Sequence, residues 1–421
     1  METPVTDKGM ALDGSTGYAT TSTPVVETRA SYTLSTWVRV DTGVNHTMTV
    51  LGQIPDNPSP FAKKYTPFGL SYAGGGANTW SLSALDADGN LHKATAPQAT
   101  PRGVWTHVVG VHDAANKEIR LYVNGKLQAT TGSGTPWQTT GALQIGRAIW
   151  ADVPTDYFAG SIDETTVWQR ALTSAEISDE ARLMNSPSRA AVELVADWSA
   201  DRGSGSSIKD TDSGYGRSLT LAGGASLVGE EIVLDGVDDA ATATGPLVDD
   251  TGSFTVTTLA GLDSEKLASK PVGYTGQVLG QRTADGSAWG IWYRRTGSTT
   301  EFDEQTLEER TVPEGYWYFG RLNTDGTFSA VASEESAALD GMVRLTGVFD
   351  TREGTISLYV GSVANGDAQA FTAKIGSGDF AVGTGFTTSK WQHYLPGRVR
   401  EVRMWAGAMA TSEQVGETVS D

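Results

Sequence analysis

Five aromatic residues, Trp137, Trp150, Tyr157, Tyr316 and Trp391, lie near Gly, Thr or Pro and outside the strand patterns. A planar ring with polar neighbours is the surface on which a sugar stacks, so these five are candidate ligand-binding platforms. Trp37, Trp80, Trp105, Trp168, Trp317 and Trp405 sit inside strand patterns and read as packing. The histidines, His46, His92, His107, His112 and His393, show no metal-binding spacing, and a lone strand histidine is usually structural. No nucleophile elbow, phosphate-binding loop, dinucleotide fingerprint or zinc-protease helix occurs. Cysteine is absent, which excludes disulfides, thiolate metal sites and cysteine nucleophiles.

A chain of 421 residues suits two domains of about 200. Its 50 glycines, low charge content and many Thr, Ser and Val indicate an all-β chain with numerous turns. The formal charge of -19 disfavours nucleic acid and anionic membrane surfaces as partners and tolerates divalent cations. No apolar run approaches the roughly 18 residues of a membrane-crossing helix, so no membrane insertion is expected. The opening METPVTDKG lacks the basic start and apolar middle of a signal peptide.

The elements that must position the aromatics are legible because they occur twice. Residues 105–125, WTHVVGVHDAANKEIRLYVNG, recur 237 positions later as MVRLTGVFDTREGTISLYVGS, residues 342–362. Each copy is two alternating apolar runs around a polar turn, the pattern of a half-buried β-hairpin. Asp88-Gly89 and Asp325-Gly326 mark a second hairpin in each half. Upstream, LDG at Leu12 recurs at Leu234, SYTLSTW recurs as SFTVTTL, and Leu51-Gly52-Gln53 recurs as Leu279-Gly280-Gln281. The closing motifs begin at Gly160 and Gly397; each ends in a helix start, where Thr173 with Glu176 and Thr411 with Gln414 have capping-box spacing.

Two differences separate the copies. The second carries 16 extra residues, within the acidic stretch 296–316, expected to be a long loop or flap. It also has residues 194–228 ahead of its first shared motif, with no counterpart in the first half. The expected domains are therefore 1–187, lacking an N-terminal strand, and 188–421, with a junction at 185–193.

Trp198 with DRGSG, DTDSGYGRSLTLAGGA from Asp210, the two LDG motifs, the strand bearing Trp37, Trp105 leading into LYVNG, and GSIDETTVWQRAL from Gly160 occur in this order. The combination resembles the laminin G-like family of concanavalin A-type jelly rolls, in the form common in large extracellular bacterial proteins. The resemblance covers nearly the whole chain. It implies two antiparallel β-sandwich jelly-roll domains in tandem. An edge strand missing from the first domain is a liability that proteins usually cover, so a fragment of a larger secreted or surface protein is expected.

The resemblance also implies calcium as a candidate cofactor, held near the initial turn and the closing motif. The matching metal candidates here are Asp163, Asp210, Asp212 and Glu401, but each half is only partly equipped: Arg400 replaces the aspartate of the second closing motif, and the first half lacks the turn. Calcium needs six to eight oxygens, and the alternative is that these aspartates are turn residues. A related glycosidase family places catalytic acids as Glu-x-Asp-x-x-Glu. Glu301-Phe-Asp303 begins that way, but Gln305 and Thr306 stand where the third acid belongs, so a solvated acidic stretch is expected.

The expected function is a non-catalytic recognition or adhesion module of an extracellular or cell-surface protein, with a glycan or protein surface and the parent chain's other domains as partners. A structural spacer with no ligand is the alternative, and a jelly-roll glycoside hydrolase a remote one. Jelly rolls host all three.

Overall fold

The computed structural model describes residues 9–56, 63–182, 192–303, 307–376, 378–409 and 411–419. The chain divides into two compact units, within Asp7–Ser188 and Arg189–Asp421. Most of the expected junction lies outside the described residues, and Glu193 already begins a strand.

Each unit has two antiparallel sheets built from alternating strands. In the first unit, one sheet runs Met10–Asp13, Ala159–Trp168, Tyr32–Val40, Trp105–Asp113, Glu118–Val123, Lys126–Gly132. The other runs Ala19–Thr20, Leu143–Ile145, Thr47–Gln53, Phe68–Ala73, Thr79–Leu85, Leu91–Thr95. Leu34, Val38 and Val108 of the first sheet share one core with Val50, Leu70 and Leu82 of the second, so alternation puts the apolar sets face to face.

The second unit follows the same order strand for strand. Pro396–Ala406 lies between Glu231–Asp235 and Phe254–Leu262, followed by Met342–Asp350 and Thr355–Val360. Its other sheet carries Ala240–Ala243, Phe380–Val382, Thr275–Arg282, Ser287–Asp303, Glu308–Leu322 and Phe328–Ala332. A glycine shared by both copies shows why the sandwich closes. A Cβ on Gly110 would meet Leu82 at 2.7 Å, and one on Gly347 would meet Phe319 at 2.3 Å. At that point the facing side chain packs directly on backbone, which only glycine permits.

The segment ahead of the second copy completes both of its sheets. Glu193–Ser199 pairs with Pro396–Ala406 from Ala406 back to Glu401, and Gly203–Ser204, Ser207–Lys209 and Ser218–Ala222 extend the other sheet. Among the described residues of the first unit, no strand pairs with 164–168 on the side away from Tyr32–Val40.

The acidic stretch departs from the expected loop. It extends two neighbouring strands into an antiparallel ribbon, in register from Gly297 opposite Glu314 to Asp303 opposite Glu308. Alternating β-favouring Thr and Val at Thr299, Thr300, Thr311 and Val312 carry the pairing past the sheet.

In both units a C-terminal helix covers the outer face of the first sheet. Ser174–Glu180, closed by the reciprocal capping box of Thr173 and Glu176, seats Ile177 with Leu172 against Val109, Val111 and Tyr122. Val415 of Ser412–Val419 joins Met409 on Val348, Tyr359 and Trp405. The outer face of the other sheet has no such helix among the described residues, and a short hairpin approaches it instead.

Candidate functional site

That hairpin is Ala148–Trp150 with Val153–Thr155 in the first unit and Gly385–Thr387 with Lys390–Gln392 in the second. Two central residues at positive φ turn each one, Ala151 and Asp152 (51° and 71°) and Thr388 and Ser389 (49° and 58°). This is the type I′ geometry whose twist matches paired strands. In the second unit, Gly385 lies so close to Trp292 that a Cβ would meet the indole at 2.8 Å. Trp292 belongs to the outer face and is nevertheless fully buried.

Around Trp292 the outer face is aromatic and cationic. Trp292 pairs in register with Tyr318, and Arg294 with Tyr316. The half-buried rings of Tyr318 and Phe328 stack 4.4 Å apart at 11°. Arg294 lies over Phe328 at 5.8 Å. Phe328 and His393 both meet Trp292 edge-on, at 6.1 Å and 5.9 Å. Across the hairpin, Phe386 and Trp391 are 5.0 Å apart, and Arg282 lies over both rings while it pairs with Asp379 at 3.0 Å. Burial pushes the His393 imidazole below its ordinary value, so it is neutral here at pH 7. Flat rings beside guanidinium and carboxylate groups can stack on a sugar face while bonding its hydroxyls.

The first unit builds the same face from hydroxyls. Thr49 Oγ1 and Ser71 Oγ are 3.2 Å apart, and Ser83 Oγ donates to the Gly69 carbonyl at 3.3 Å. Trp150 remains 62% exposed on its hairpin, edge-on to Tyr65 at 4.8 Å.

The five aromatic candidates therefore separate. Trp150 and Trp391 occupy equivalent hairpins, Tyr316 lies half-buried on the aromatic face, and Tyr157 is half-buried beside Phe158. Trp137 departs from the expected platform. It is only 7% exposed, and its carbonyl accepts the Thr28 hydroxyl at 2.7 Å, which holds its loop against the sandwich. Sequence reasoning missed Arg282, Arg294, Phe328 and Phe386. Phe386 lies two residues before a turn without Asn or Gly, so no turn signal pointed to it.

The implied calcium ligands do not fit an ion. Asp212 and Asp197 both bind Arg202, with Asp212 Oδ2 2.6 Å from Nη1. Asp210 accepts the amide of Ser213 at 3.0 Å together with its hydroxyl. Glu401 is held by Arg344 and, at 3.1 Å, by Arg403. Asp163 accepts the Glu164 amide at 2.8 Å. Guanidinium groups and backbone donors occupy the oxygens that calcium would need. A separate trio, Asp235, Asp238 and Asp239, has carboxylate oxygens within 4.8 Å of one another, but Asp239 accepts amides from Gly224 and Asp235, and Asp235 those of Val237 and Asp238.

Residues 13–178 match the family described as the concanavalin A-like lectin/glucanases superfamily. That match, over the first unit, supports the laminin G-like, concanavalin A-type family. No curated protein matches the chain. Solved structures similar to this chain include a native heptameric SAP-like pentraxin from Limulus polyphemus, 16% identical over 40% of this chain and 78% of that one, with a TM-score of 0.34. The Ruminococcus gnavus IT-sialidase CBM40 is 19% identical over 40% of this chain and 94% of its own, with a TM-score of 0.33. Domain 4 of AbnA, a GH43 extracellular arabinanase from Geobacillus stearothermophilus, in complex with arabinotriose, is 16% identical over 54% and 98%, with a TM-score of 0.33. Among the described residues no helix is long and apolar enough to cross a membrane.

Proposed function

We propose that this chain is a non-catalytic glycan-recognition module of a secreted or surface protein, with the aromatic face of its second unit as the binding platform. The observation that carries the reading is the stacked pair Tyr318 and Phe328 under Arg294, on an outer face that no helix covers among the described residues and beside the Phe386 and Trp391 hairpin. The positions of Trp292 and Tyr318 are serines, Ser71 and Ser81, in the first copy, so the rings are particular to the second unit's face. The match of residues 13–178 to a lectin and glucanase superfamily supports the same reading.

Catalysis is no part of the proposal. Glu301 stands exposed on the ribbon, paired with Arg310 at 3.7 Å, and a glycosidase needs two carboxyl groups on a rigid scaffold. The side chain of Asp303 and residues 304–306 lie outside the described residues. A glycan array probed with the whole chain tests the reading. A saturable hit without sugar release is expected; no hit on any glycan would favour a spacer, and released sugar would favour an enzyme.

A further inference from the structure

One connection differs between the units in a way that points to a ligand chemistry. Asp41 and Asp263 hold the same place, each donating its amide to the closing strand, to the Ala159 carbonyl at 3.2 Å and the Pro396 carbonyl at 3.1 Å. From Asp41 the first unit reaches the strand Thr47–Gln53 through five residues, whereas the second takes eleven to reach Thr275–Arg282. The added residues form the short helix Ser264–Ala268 and the turn after it.

Two lysines of this insertion rest on the Leu234-Asp235-Gly236 turn. Lys266 Nζ donates to the Leu234 carbonyl at 3.4 Å and pairs with Asp263 at 3.0 Å, and Lys270 Nζ donates to the Gly236 carbonyl at 2.8 Å. The first unit has the same turn, Leu12-Asp13-Gly14, with Gly14 at φ 74° where Gly236 has 77°. Its five-residue connection, 42–46, contains no lysine. Over the turn lies instead an open cavity of about 530 Å³ lined by Asp13, Gly14, Arg39, Asp41, Asn45 and His46.

The lining sets two carboxylates, Asp13 and Asp41, against one guanidinium, Arg39, and is net acidic. The amides of Thr16, Gly17 and Ser15 hold the Asp13 carboxyl well below the usual carboxylate range, so it stays ionised. Asp41 adds a second carboxylate, and Arg39 directs its Nε to the Gly103 carbonyl at 3.0 Å. We propose that this cavity binds the ammonium group of an amino sugar, which supplies to the first unit the cation that Lys266 and Lys270 supply within the second. The inference rests on the glycan reading and gives it a second site with its own ligand class.

Calorimetric titration of the whole chain at pH 7 with the β-1,4-linked glucosamine disaccharide, and with its neutral counterpart cellobiose, tests this. The two sugars differ only at C2 of each ring, an amino group in one and a hydroxyl in the other, so the charged one is expected to bind at least about tenfold more tightly. Asp41→Asn and Asn45→Lys, which remove a carboxylate and place a lysine in the short connection, should each weaken binding about tenfold with the melting temperature unchanged. Equal binding of both sugars, no binding of the amino sugar, or binding untouched by both variants would overturn the proposal. If another glycan still binds the array, only this inference falls; if none binds, the reading beneath it falls too.

Discussion

Trp391 faces Phe386 across a two-residue turn, the rings 5.0 Å apart and steeply inclined, on a hairpin whose first glycine is pressed against the buried Trp292. One indole of the aromatic face is thus structural and another is available to a ligand. The two should respond differently to truncation.

Trp292→Ala is expected to destabilise the second unit by roughly 3–5 kcal/mol, because the hairpin above it loses its support. Trp391→Ala, at a half-buried ring, should cost less than about 1 kcal/mol. Denaturant unfolding of the two variants checks the contrast, and equal losses would place both rings in the core.

How much of this could be read in advance follows from the range of each signal. The paired hairpins, Gly110 with Gly347, and the Thr173 capping box are local patterns, and all stand in the sequence as they stand in the fold. The hairpin bearing Trp391 was illegible because its turn uses Thr388 and Ser389 at positive φ, where Asn-Gly would have signalled it. Trp137 looked like a loop platform, and only the tertiary packing that buries it, with Thr28 bonded to its carbonyl, takes it out of reach. The pairing of Glu401 with Arg344, 57 positions apart, likewise follows from the strand Phe254–Leu262 lying between their own strands. Ribbon pairing in 297–314 was hidden by composition, since acidic residues on both strands read as solvated loop.

Burial pushes His107 down to about 3, against 6.5 for a free imidazole. Its Nε2 meets Ser35 Oγ at 2.8 Å, and its ring lies 5.2 Å from Trp37. A group whose folded value is depressed contributes stability that is complete above 6.5 and is lost as pH falls toward 3. The first unit's melting temperature should therefore drop between pH 7 and pH 4, and His107→Gln should flatten that slope. An unchanged slope in the variant would assign the acid sensitivity elsewhere.

Asp250 behaves in the opposite sense. Burial, and then the neighbouring Asp249, raise its carboxyl well above the ordinary value, while Trp289 Nε1 donates to it at 2.6 Å. In the first copy Thr28 stands there, a neutral hydroxyl. A raised folded value gives stability that is present at low pH and lost as pH rises through it. Asp250→Asn should gain melting temperature relative to the parent as pH goes from 5 to 9. A difference that stays constant with pH would show the carboxyl is not titrating in the fold.

Calcium should leave both unfolding transitions where they are. Arg202 on Asp212 and Asp197, and Arg344 with Arg403 on Glu401, already neutralise the acids a structural ion would use. Thermal melts in millimolar calcium and in chelator should superimpose, and a shift of several degrees between them would require a site formed by other residues.

The central claim is that the open aromatic face of the second unit holds a glycan. The most direct measurement is the affinity of the whole chain for its strongest array glycan, compared with Tyr318→Ala and Trp391→Ala. Each stacking ring removed should cost about 1–2 kcal/mol of binding, roughly five- to thirtyfold in affinity, with folding intact. Undiminished affinity in both variants, in chains that melt like the parent, would contradict the account.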